Sequence, residues 1–298
     1  MNLFYGIIYH PKINKLIRNI NYVLAPILPA KIKIYPTGKI KVHFKEVGPI
    51  YFKTNQTSFL TRELFWKGPE KFEFTSIFIK LIKKVDVFLD VGTNIGYYSI
   101  LGGKFNPKLQ VIAFEPSEGP RVYASENSKI NNLEERIQIE PLALSNTTGI
   151  LDFYNVTNPK FPNIHNLSGE HNLTTSKDKL NYTKVKATSV ILDEYVASSK
   201  ITTIDLMKID TEGSEYLILE GAQKVLDTHR PIVICETLFN VIEDKLEAIF
   251  IDRDYAFYNH TGTGLTKVSS IQRTEDNGAR NCFFVPKEKV ALIEEFVV

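Results

Sequence analysis

An apolar run that passes directly into a glycine turn is the feature that most constrains this chain. Residues 85–91 read Val-Asp-Val-Phe-Leu-Asp-Val, a mostly apolar segment of strand length that suits a parallel sheet covered on both faces. The turn follows, with Gly92, Thr93, Asn94 and Gly96, and a helical pattern begins at residue 96. The segment therefore predicts a strand, a tight turn and a helix, which is the first unit of an alternating α/β fold.

The same alternation of strands and helices continues along the sequence. Seven strands are predicted, at residues 85–91, 110–114, 137–142, 204–209, 232–235, 255–258 and 282–285. Helices are predicted at residues 72–84, 96–102, 120–131, 215–226 and 243–250. Such an order predicts a doubly wound, mostly parallel seven-stranded sheet with right-handed crossovers, which is a Rossmann-like α/β fold.

The first 70 residues differ from this pattern and are predicted to form a β-leaning extension, with the main domain at residues 71–298. Alternating apolar and polar residues at 31–35 and 40–44 predict a hairpin, with Pro36-Thr37-Gly38 as its turn. Ile13 to Ala30 mixes basic and bulky aliphatic residues, so at most a peripheral membrane contact is expected there. No apolar run approaches the roughly 20 residues that span a bilayer.

Charge and cysteine content restrict the expected partners and compartment. The sequence has 36 basic and 34 acidic residues and a net charge of +2, so nucleic acid is not expected as a partner. Cys235 and Cys282 lie in apolar runs and form no CxxC pair, which argues against a zinc site and a disulfide framework. Buried free thiols suit a reducing compartment, so we expect a cytoplasmic protein.

Candidate site residues follow from one rule: doubly wound sheets bind ligands beyond the carboxyl ends of their strands. Glu115, followed by Pro116, ends the second strand 25 residues after Asp90. A carboxylate at this position can accept both hydroxyl groups of a ribose. Ala143 follows the third strand, where an adenine ring would stack.

Three carboxylates crowd the end of the fourth strand, in the segment Lys208-Ile209-Asp210-Thr211-Glu212-Gly213-Ser214-Glu215. A helix N-terminus could explain Glu212 and Glu215, because acidic residues in a first turn complement the helix dipole. It does not account for Asp210, which we assign to the site. Glu236 ends the fifth strand, and it could share either a proton or a divalent metal ion with Asp210.

Histidines offer fewer candidates. His260 follows the sixth strand and is the second candidate for a general base after Asp210. His165 and His171 belong to the polar stretch at residues 155–184, which is predicted as a long loop that carries acceptor specificity. His229 precedes a strand, at the wrong end of the sheet, and is expected to be structural.

The spacing of the glycines discriminates between cofactors. A nicotinamide fingerprint has glycines at its first, third and sixth positions. Here Asn94 occupies the third position and Gly96 the fifth, so a nicotinamide-dependent oxidoreductase is the weaker alternative. The loop is similar to motif I of the class I methyltransferases, in which it holds the methionine part of the cofactor.

Six segments together resemble the FkbM family of methyltransferases. They are FLDVGTNIGYYS, FEPS with the later Asn131, TSVILDEYV, IDLMKIDTEGSEYLILEGA, RPIVICE and NCFFVP. The resemblance implies a class I methyltransferase fold and S-adenosylmethionine as the cofactor. It also implies O-methylation, with a sugar, a glycan or a natural product as the acceptor.

Each candidate residue has a role on this interpretation. Asp210 is the general base or a metal ligand, with Glu212 and Glu236 positioning it. The residues expected to contact the cofactor are Asp90, Gly92, Thr93, Asn94, Gly96, Glu115, Pro116, Ala143 and Asp210. A non-catalytic binding module on the same fold is the other alternative, and it is disfavoured because the carboxylates are all present.

Overall fold

The computed structural model describes residues 3–24, 26–27, 33–173, 181–262 and 264–298. Within these residues the α-helices are α1 (Leu3–Ile8), α2 (Pro11–Val23), α3 (Phe59–Lys67), α4 (Thr75–Leu81), α5 (Tyr97–Phe105), α6 (Glu118–Ile130), α7 (Leu192–Ser198), α8 (Glu215–Glu220), α9 (Gln223–Thr228) and α10 (Glu243–Phe250). The strands are β1 (Gly38–Phe44), β2 (Gly48–Thr54), β3 (Val87–Val91), β4 (Gln110–Phe114), β5 (Ile137–Glu140), β6 (Ala143–Leu144), β7 (Gly149–Thr157), β8 (Asn181–Val190), β9 (Leu206–Ile209), β10 (Ile232–Glu236), β11 (Tyr255–Thr261), β12 (Gly264–Val268) and β13 (Asn281–Pro286).

An eight-stranded sheet forms the centre of the protein, in the order β12-β11-β13-β10-β9-β3-β4-β5. Neighbouring strands from β10 to β5 are parallel, whereas β13 is antiparallel to both β10 and β11. The predicted Rossmann-like fold is confirmed, and all seven predicted strands belong to this sheet. The eighth strand, β12, was not predicted, and it pairs with β11 in an antiparallel hairpin.

Helices cover both faces of this sheet, so its central strands are buried. Every residue of β3 and of β9 is buried. Successive side chains of a strand point to opposite faces. Phe88 accordingly belongs to the apolar cluster that contains α4, α5 and the β1–β2 hairpin, whereas Leu89 belongs to the cluster that contains α7 to α10. The continuous apolar runs of the sequence are therefore the ones that pack on both sides.

The N-terminal region contains helices as well as a hairpin. The hairpin pairs β1 with β2 around residues 45–47. The predicted strand at 31–35 is wrong in its described part, because residues 33–35 form no strand, and residues 31 and 32 lie outside the described residues. The turn predicted at residues 36–38 is also wrong. The side chain of Asn14 in α2 accepts a hydrogen bond from the backbone N–H of Thr37, so this segment contacts α2 and does not pair with a strand. Among the described helices, none has both the length and the apolar character that crossing a lipid bilayer requires.

The polar stretch at 155–184 is only partly a loop, which corrects the sequence prediction. Strand β7 continues to Thr157 and β8 begins at Asn181, and the two pair antiparallel beside β6 in a three-stranded sheet. Most side chains of β8 are exposed or half-buried, so the apolar alternation that identifies a strand is weak there. The described loop is residues 158–173, and residues 174–180 lie outside the described part of the chain.

Candidate functional site

A cavity lies at the carboxyl ends of β3, β4, β9 and β10, where a doubly wound sheet binds its ligands. The turns after these strands form one side of it, at residues 92–94, 115–116, 210–214 and 236. Residues 142–144 and part of the 158–173 loop complete the walls. Most of the predicted site residues therefore meet in one place.

The Asp90 side chain orders the glycine turn through hydrogen bonds outside the cavity. One of its carboxylate oxygens, Oδ2, accepts hydrogen bonds from Thr93 Oγ1 at 2.7 Å, from Ser99 N at 3.1 Å and from Ser99 Oγ at 2.6 Å. The side chain is buried, and it is not among the residues that line the cavity. Asp90 therefore orders the turn and the start of α5, whereas Thr93 and Asn94 reach the cavity itself.

Gly92 allows two strand ends to meet. Its φ is +76°, and a Cβ atom placed on it would lie 2.0 Å from the carbonyl oxygen of Asp210. Because no side chain fits in that space, Gly92 lets the turn after β3 contact the segment after β9. Gly96 is the N-cap of α5 at φ +85° and does not line the cavity, so it positions the helix.

Glu115 is a buried carboxylate with room for further hydrogen bonds. Its Oε2 accepts from Asn94 N at 3.0 Å, and its Oε1 accepts from Ser117 N at 2.9 Å. Burial raises the pKa of Glu115 to about 7. Each carboxylate oxygen has a second lone pair, so the group can accept two more hydrogen bonds from adjacent hydroxyls in the cavity. Pro116 lines the wall beside it.

Part of the cavity wall is apolar. It is formed by Phe114, Leu142, Ala143, Leu144 and Phe153. Ala143 and Leu144 form β6, whose pairing with β8 fixes their position. An apolar recess next to a carboxylate that can bind a diol is a suitable place for a nucleoside.

Three carboxylates meet at the opposite end of the cavity. Asp210, Glu212 and Glu236 each present an oxygen atom, and these atoms lie within 4.8 Å of one another. Burial and then the negative charge of Asp210 raise the pKa of Glu236 well above its ordinary value. Carboxylates this close share a proton or hold a cation.

Lys208 is a site residue that the sequence analysis missed. It is buried, and its Nζ lies 3.0 Å from Asp210 Oδ2. Burial alone would lower the pKa of Lys208, but the negative charges of Asp210, Asp90 and Glu73 raise it instead. The signal for Lys208 was present in the sequence, because residues two apart on a strand share a face.

Glu73 and Tyr98 extend this cluster. The Tyr98 hydroxyl donates to Glu73 Oε2 at 2.8 Å, and both residues line the cavity. Burial, and then repulsion from Asp210, raise the pKa of Glu73 to about 7. Nothing in the sequence marked Glu73, because it precedes α4 and does not follow a strand of the sheet.

Glu73→Gln is expected to reduce the loss of stability that accompanies a rise in pH. The carboxyl pKa rises from 4.5 to about 7 on folding. The native state therefore keeps a proton that the unfolded state releases, so the free energy of unfolding falls as the pH rises through this interval. The loss amounts to about 3 kcal/mol and is complete above the folded pKa. Urea denaturation at pH 5 and pH 8 measures it.

The control for this experiment is Glu46→Gln, because Glu46 is exposed and pairs with Lys83 at the surface. The control should keep the pH dependence of the wild-type protein. An unchanged difference between the two pH values in Glu73→Gln would show that Glu73 is not the group responsible.

Glu215 and His171 have structural roles near the cavity. The buried carboxylate of Glu215 accepts from Thr211 N at 2.8 Å and from Gly213 N at 3.0 Å, and so it closes the turn after β9. His171 lines the cavity, but its Nδ1 accepts from Val156 N and its Nε2 contacts Asn166 O at 2.9 Å. Both ring nitrogens are engaged, so His171 holds the loop.

His260 does not meet the carboxylates, contrary to the sequence prediction. It lies on β11, and β13 separates that strand from β10 and Glu236. Its ring contacts Phe74, with the ring centroids 6.2 Å apart, and it is not among the cavity residues. His165 also lies outside the cavity lining. We therefore do not retain His260 as a general base.

The sequence is similar to those of several methyltransferases. Methyltransferase sdnD of Sordaria araneosa is 25% identical over 201 residues, which cover 55% of this chain and 74% of the relative. The 2-O-methyltransferase NoeI of Sinorhizobium fredii is 28% identical over 160 residues, covering 51% of this chain and 64% of the relative. The 31-O-demethyl-FK506 methyltransferase FkbM of Streptomyces tacrolimicus is 26% identical over 164 residues, covering 46% and 60%.

A solved structure and a family model complete the comparison. The structure of a methyltransferase FkbM from Methylobacillus flagellatus is 18% identical, covers 67% of this chain and 43% of its own, and has a TM-score of 0.43. The family model of the methyltransferase FkbM domain matches residues 90–257, more than half of the chain, and this range contains Glu115, Asp210 and Glu236. The protein belongs to the FkbM family of methyltransferases.

Proposed function

We propose that this methyltransferase uses S-adenosylmethionine and transfers the methyl group to a hydroxyl oxygen. One observation carries the proposal. A single cavity contains the buried Glu115 carboxylate, an apolar recess and the Asp210 cluster, and the strand order β9-β3-β4 puts the glycine turn between Asp210 and Glu115. This order of groups matches a nucleoside that carries a charged side chain. The nucleoside would lie by Glu115 and the apolar recess, the side chain along the glycine turn, and the acceptor near Asp210.

The residues present fit such a cofactor. Glu115 would accept hydrogen bonds from the two ribose hydroxyls, since each of its oxygens makes one backbone hydrogen bond and has a lone pair left. The recess at residues 142–144 would take the adenine ring, and the turn at residues 92–94 would lie along the amino-acid part. When bound, S-adenosylmethionine supplies an electrophilic methyl group on a sulfonium.

Asp210 is the best candidate for the group that accepts the proton of the acceptor hydroxyl. Lys208 binds its Oδ2, which orients the carboxylate and leaves Oδ1 for the acceptor. A positioned base of this kind contributes roughly 10²–10⁴-fold to a rate. If the carboxylate cluster shares a proton, the protonated Glu236 carboxyl would donate a hydrogen bond into the same region. Correct alignment of the reacting groups can supply about 7–11 kcal/mol.

Oxygen is the proposed acceptor atom for a second reason. Two of the relatives are named as O-methyltransferases, the 2-O-methyltransferase NoeI and the 31-O-demethyl-FK506 methyltransferase FkbM. A sugar, a glycan or a natural product with a free hydroxyl group is therefore the acceptor class that we propose. Residues 168–173 border the cavity, which supports a role for this loop in acceptor choice.

The test begins with calorimetric titration of the purified protein with S-adenosylmethionine, S-adenosylhomocysteine and NAD. Binding of the first two without NAD is expected, and binding of NAD alone would overturn the proposal. Acceptors with hydroxyl or amino groups are then incubated with methyl-labelled S-adenosylmethionine, and the label should be recovered on oxygen. Repeating the reaction with EDTA and with added Mg²⁺ distinguishes a shared proton from a bound metal ion at the carboxylate cluster.

A further inference from the structure

Helix α2 exposes the side of itself that a surface helix normally buries. Its buried residues are polar: Asn14 is 0% exposed, Arg18 3% and Asn21 8%. Leu16 and Ile20, by contrast, are 64% and 54% exposed. An amphipathic helix of a globular protein usually packs its apolar stripe on the core, so this orientation requires an explanation.

Hydrogen bonds hold the polar side of α2 against the rest of the protein. The Arg18 guanidinium donates to the carbonyl oxygens of Thr37 and Lys39, both at 2.7 Å. Asn14 Nδ2 donates to Tyr35 O at 3.1 Å. These contacts tie Asn14 and Arg18 to the backbone of residues 35–39, so specific hydrogen bonds set the orientation of the helix and hold its apolar side outward.

Exposed apolar residues are not limited to these two. On α2 they follow helical spacing, and α1 and the segment after α2 expose further apolar side chains. We call it the N-terminal apolar face, and it consists of Phe4, Ile7, Ile13, Leu16, Ile20, Val23, Leu24 and Ile27, which are each at least 37% exposed. Exposed apolar patches of this kind mark sites that bind another protein or a membrane.

The charge of the same region indicates which of these it binds. Residues 1–45 contain no Asp or Glu, and the first acidic residue is Glu46. They contain eight basic residues, Lys12, Lys15, Arg18, Lys31, Lys33, Lys39, Lys41 and Lys45. The whole chain carries a net charge of only +2, so the remaining residues are net acidic. The positive charge is therefore concentrated in the N-terminal region that carries this face, where Lys12 and Lys15 of α2 are exposed.

We propose that α1 and α2 bind the surface of an anionic lipid bilayer, with the N-terminal apolar face inserted among the headgroups. A helix with apolar residues on one side and basic residues around them lies in the plane of such a surface. Anionic lipids attract each nearby Lys or Arg. With 13 residues, α2 is well short of the roughly 20 that cross a bilayer.

A second copy of the chain fits this face less well than a bilayer does. Pairing two copies through it would bring two regions without acidic side chains together, and like charges across an interface oppose association. A bilayer supplies the apolar interior and the negative charge at once. Helix α1 and the residue after it also contact the loop that borders the cavity: the rings of Tyr5 and Tyr9 pack edge-on against Phe161, at 5.9 and 5.7 Å between centroids.

Flotation of the full chain with lipid vesicles tests this proposal without any methyl transfer. Binding is expected to vesicles of phosphatidylcholine and phosphatidylserine, with weaker binding to phosphatidylcholine alone and a decrease in high salt. The double variant Leu16→Glu and Ile20→Glu should bind the anionic vesicles on the order of 100-fold more weakly. Ile251→Glu is the matched control, because Ile251 is 65% exposed and lies outside the N-terminal region, and it should bind as the wild type does.

A second pair of variants, Lys12→Glu and Lys15→Glu, tests the contribution of charge and should lose the preference for phosphatidylserine. Thermal melts verify that each variant is folded, as expected for changes at exposed positions. Unaltered binding by the Leu16→Glu and Ile20→Glu variant would overturn the proposal. So would a wild-type protein that ignores vesicles but forms an oligomer in analytical ultracentrifugation that this variant breaks, since the face would then join copies of the chain.

Discussion

Asp210→Asn is expected to lower kcat by about 10²–10⁴-fold while the Kd for S-adenosylmethionine stays within a few-fold of the wild-type value. The substitution keeps the size of the side chain and leaves an amide oxygen that can accept from Lys208 Nζ, which lies 3.0 Å from the carboxylate in the wild type. It removes the group that would take a proton from the acceptor. Single-turnover methyl transfer at saturating cofactor measures the loss, and calorimetry measures the binding.

Asp205→Asn is the matched control for this variant. Asp205 immediately precedes β9, at the amino ends of the strands and away from the cavity. Its Oδ2 accepts hydrogen bonds from the backbone N–H groups of Asp86 and Val87. The control is expected to cost some stability and no turnover. Full turnover by Asp210→Asn, with cofactor binding unchanged, would assign the base to another group.

The sheet could be predicted from the sequence because its strands are buried on both faces. A strand with apolar neighbours on both sides must itself be apolar throughout, and such runs are visible without an alignment. The rule that ligands bind at carboxyl ends then brought Glu115, Asp210 and Glu236 together, although they are far apart in sequence. These predictions depended on local composition and on one general property of parallel sheets.

The same rule failed for His260 because it says at which end of the strands a residue lies and does not say which strands are neighbours in the sheet. Strand β13 comes last in the chain but inserts between β10 and β11, and this moves His260 away from Glu236. Tertiary contact also divides the helix predicted at 215–226 into α8 and α9. Gly221, at the break, packs so closely on the backbone of Ser145 that a Cβ atom would lie 2.5 Å from its carbonyl oxygen.

The orientation of α2 could not be predicted for a different reason. Hydrophobic periodicity identifies two sides of a helix, and burial of the apolar side is then assumed. Here the contacts of Asn14 and Arg18 with backbone carbonyls decide the orientation, and those carbonyls belong to a segment about 20 residues away along the chain. Glu73 escaped prediction similarly, since its position among charged groups is set by tertiary structure alone.

Glu115→Ala is expected to weaken the binding of S-adenosylmethionine by about 100-fold or more, because hydrogen bonds to a charged group contribute about 1.5–3 kcal/mol each and two would be lost. Glu140→Ala is the matched control. Glu140 ends β5, the strand next to β4, and its carboxylate accepts from Tyr195 at 3.1 Å outside the cavity. Calorimetric titration of both variants should show near wild-type affinity for the control alone.

The affinity of the wild-type protein for the cofactor should also depend on pH, in a direction that follows from the burial of Glu115. Its pKa is raised to about 7, and the ionised form is the one that accepts from two hydroxyls. Above pH 7 the Kd should be constant, and below it the Kd should rise by up to about tenfold per pH unit, because binding must then release a proton. Glu115→Gln cannot ionise and should show a weaker affinity without this dependence. A wild-type Kd that is the same at pH 6 and pH 8 would mean that Glu115 does not carry the charge that holds the ribose.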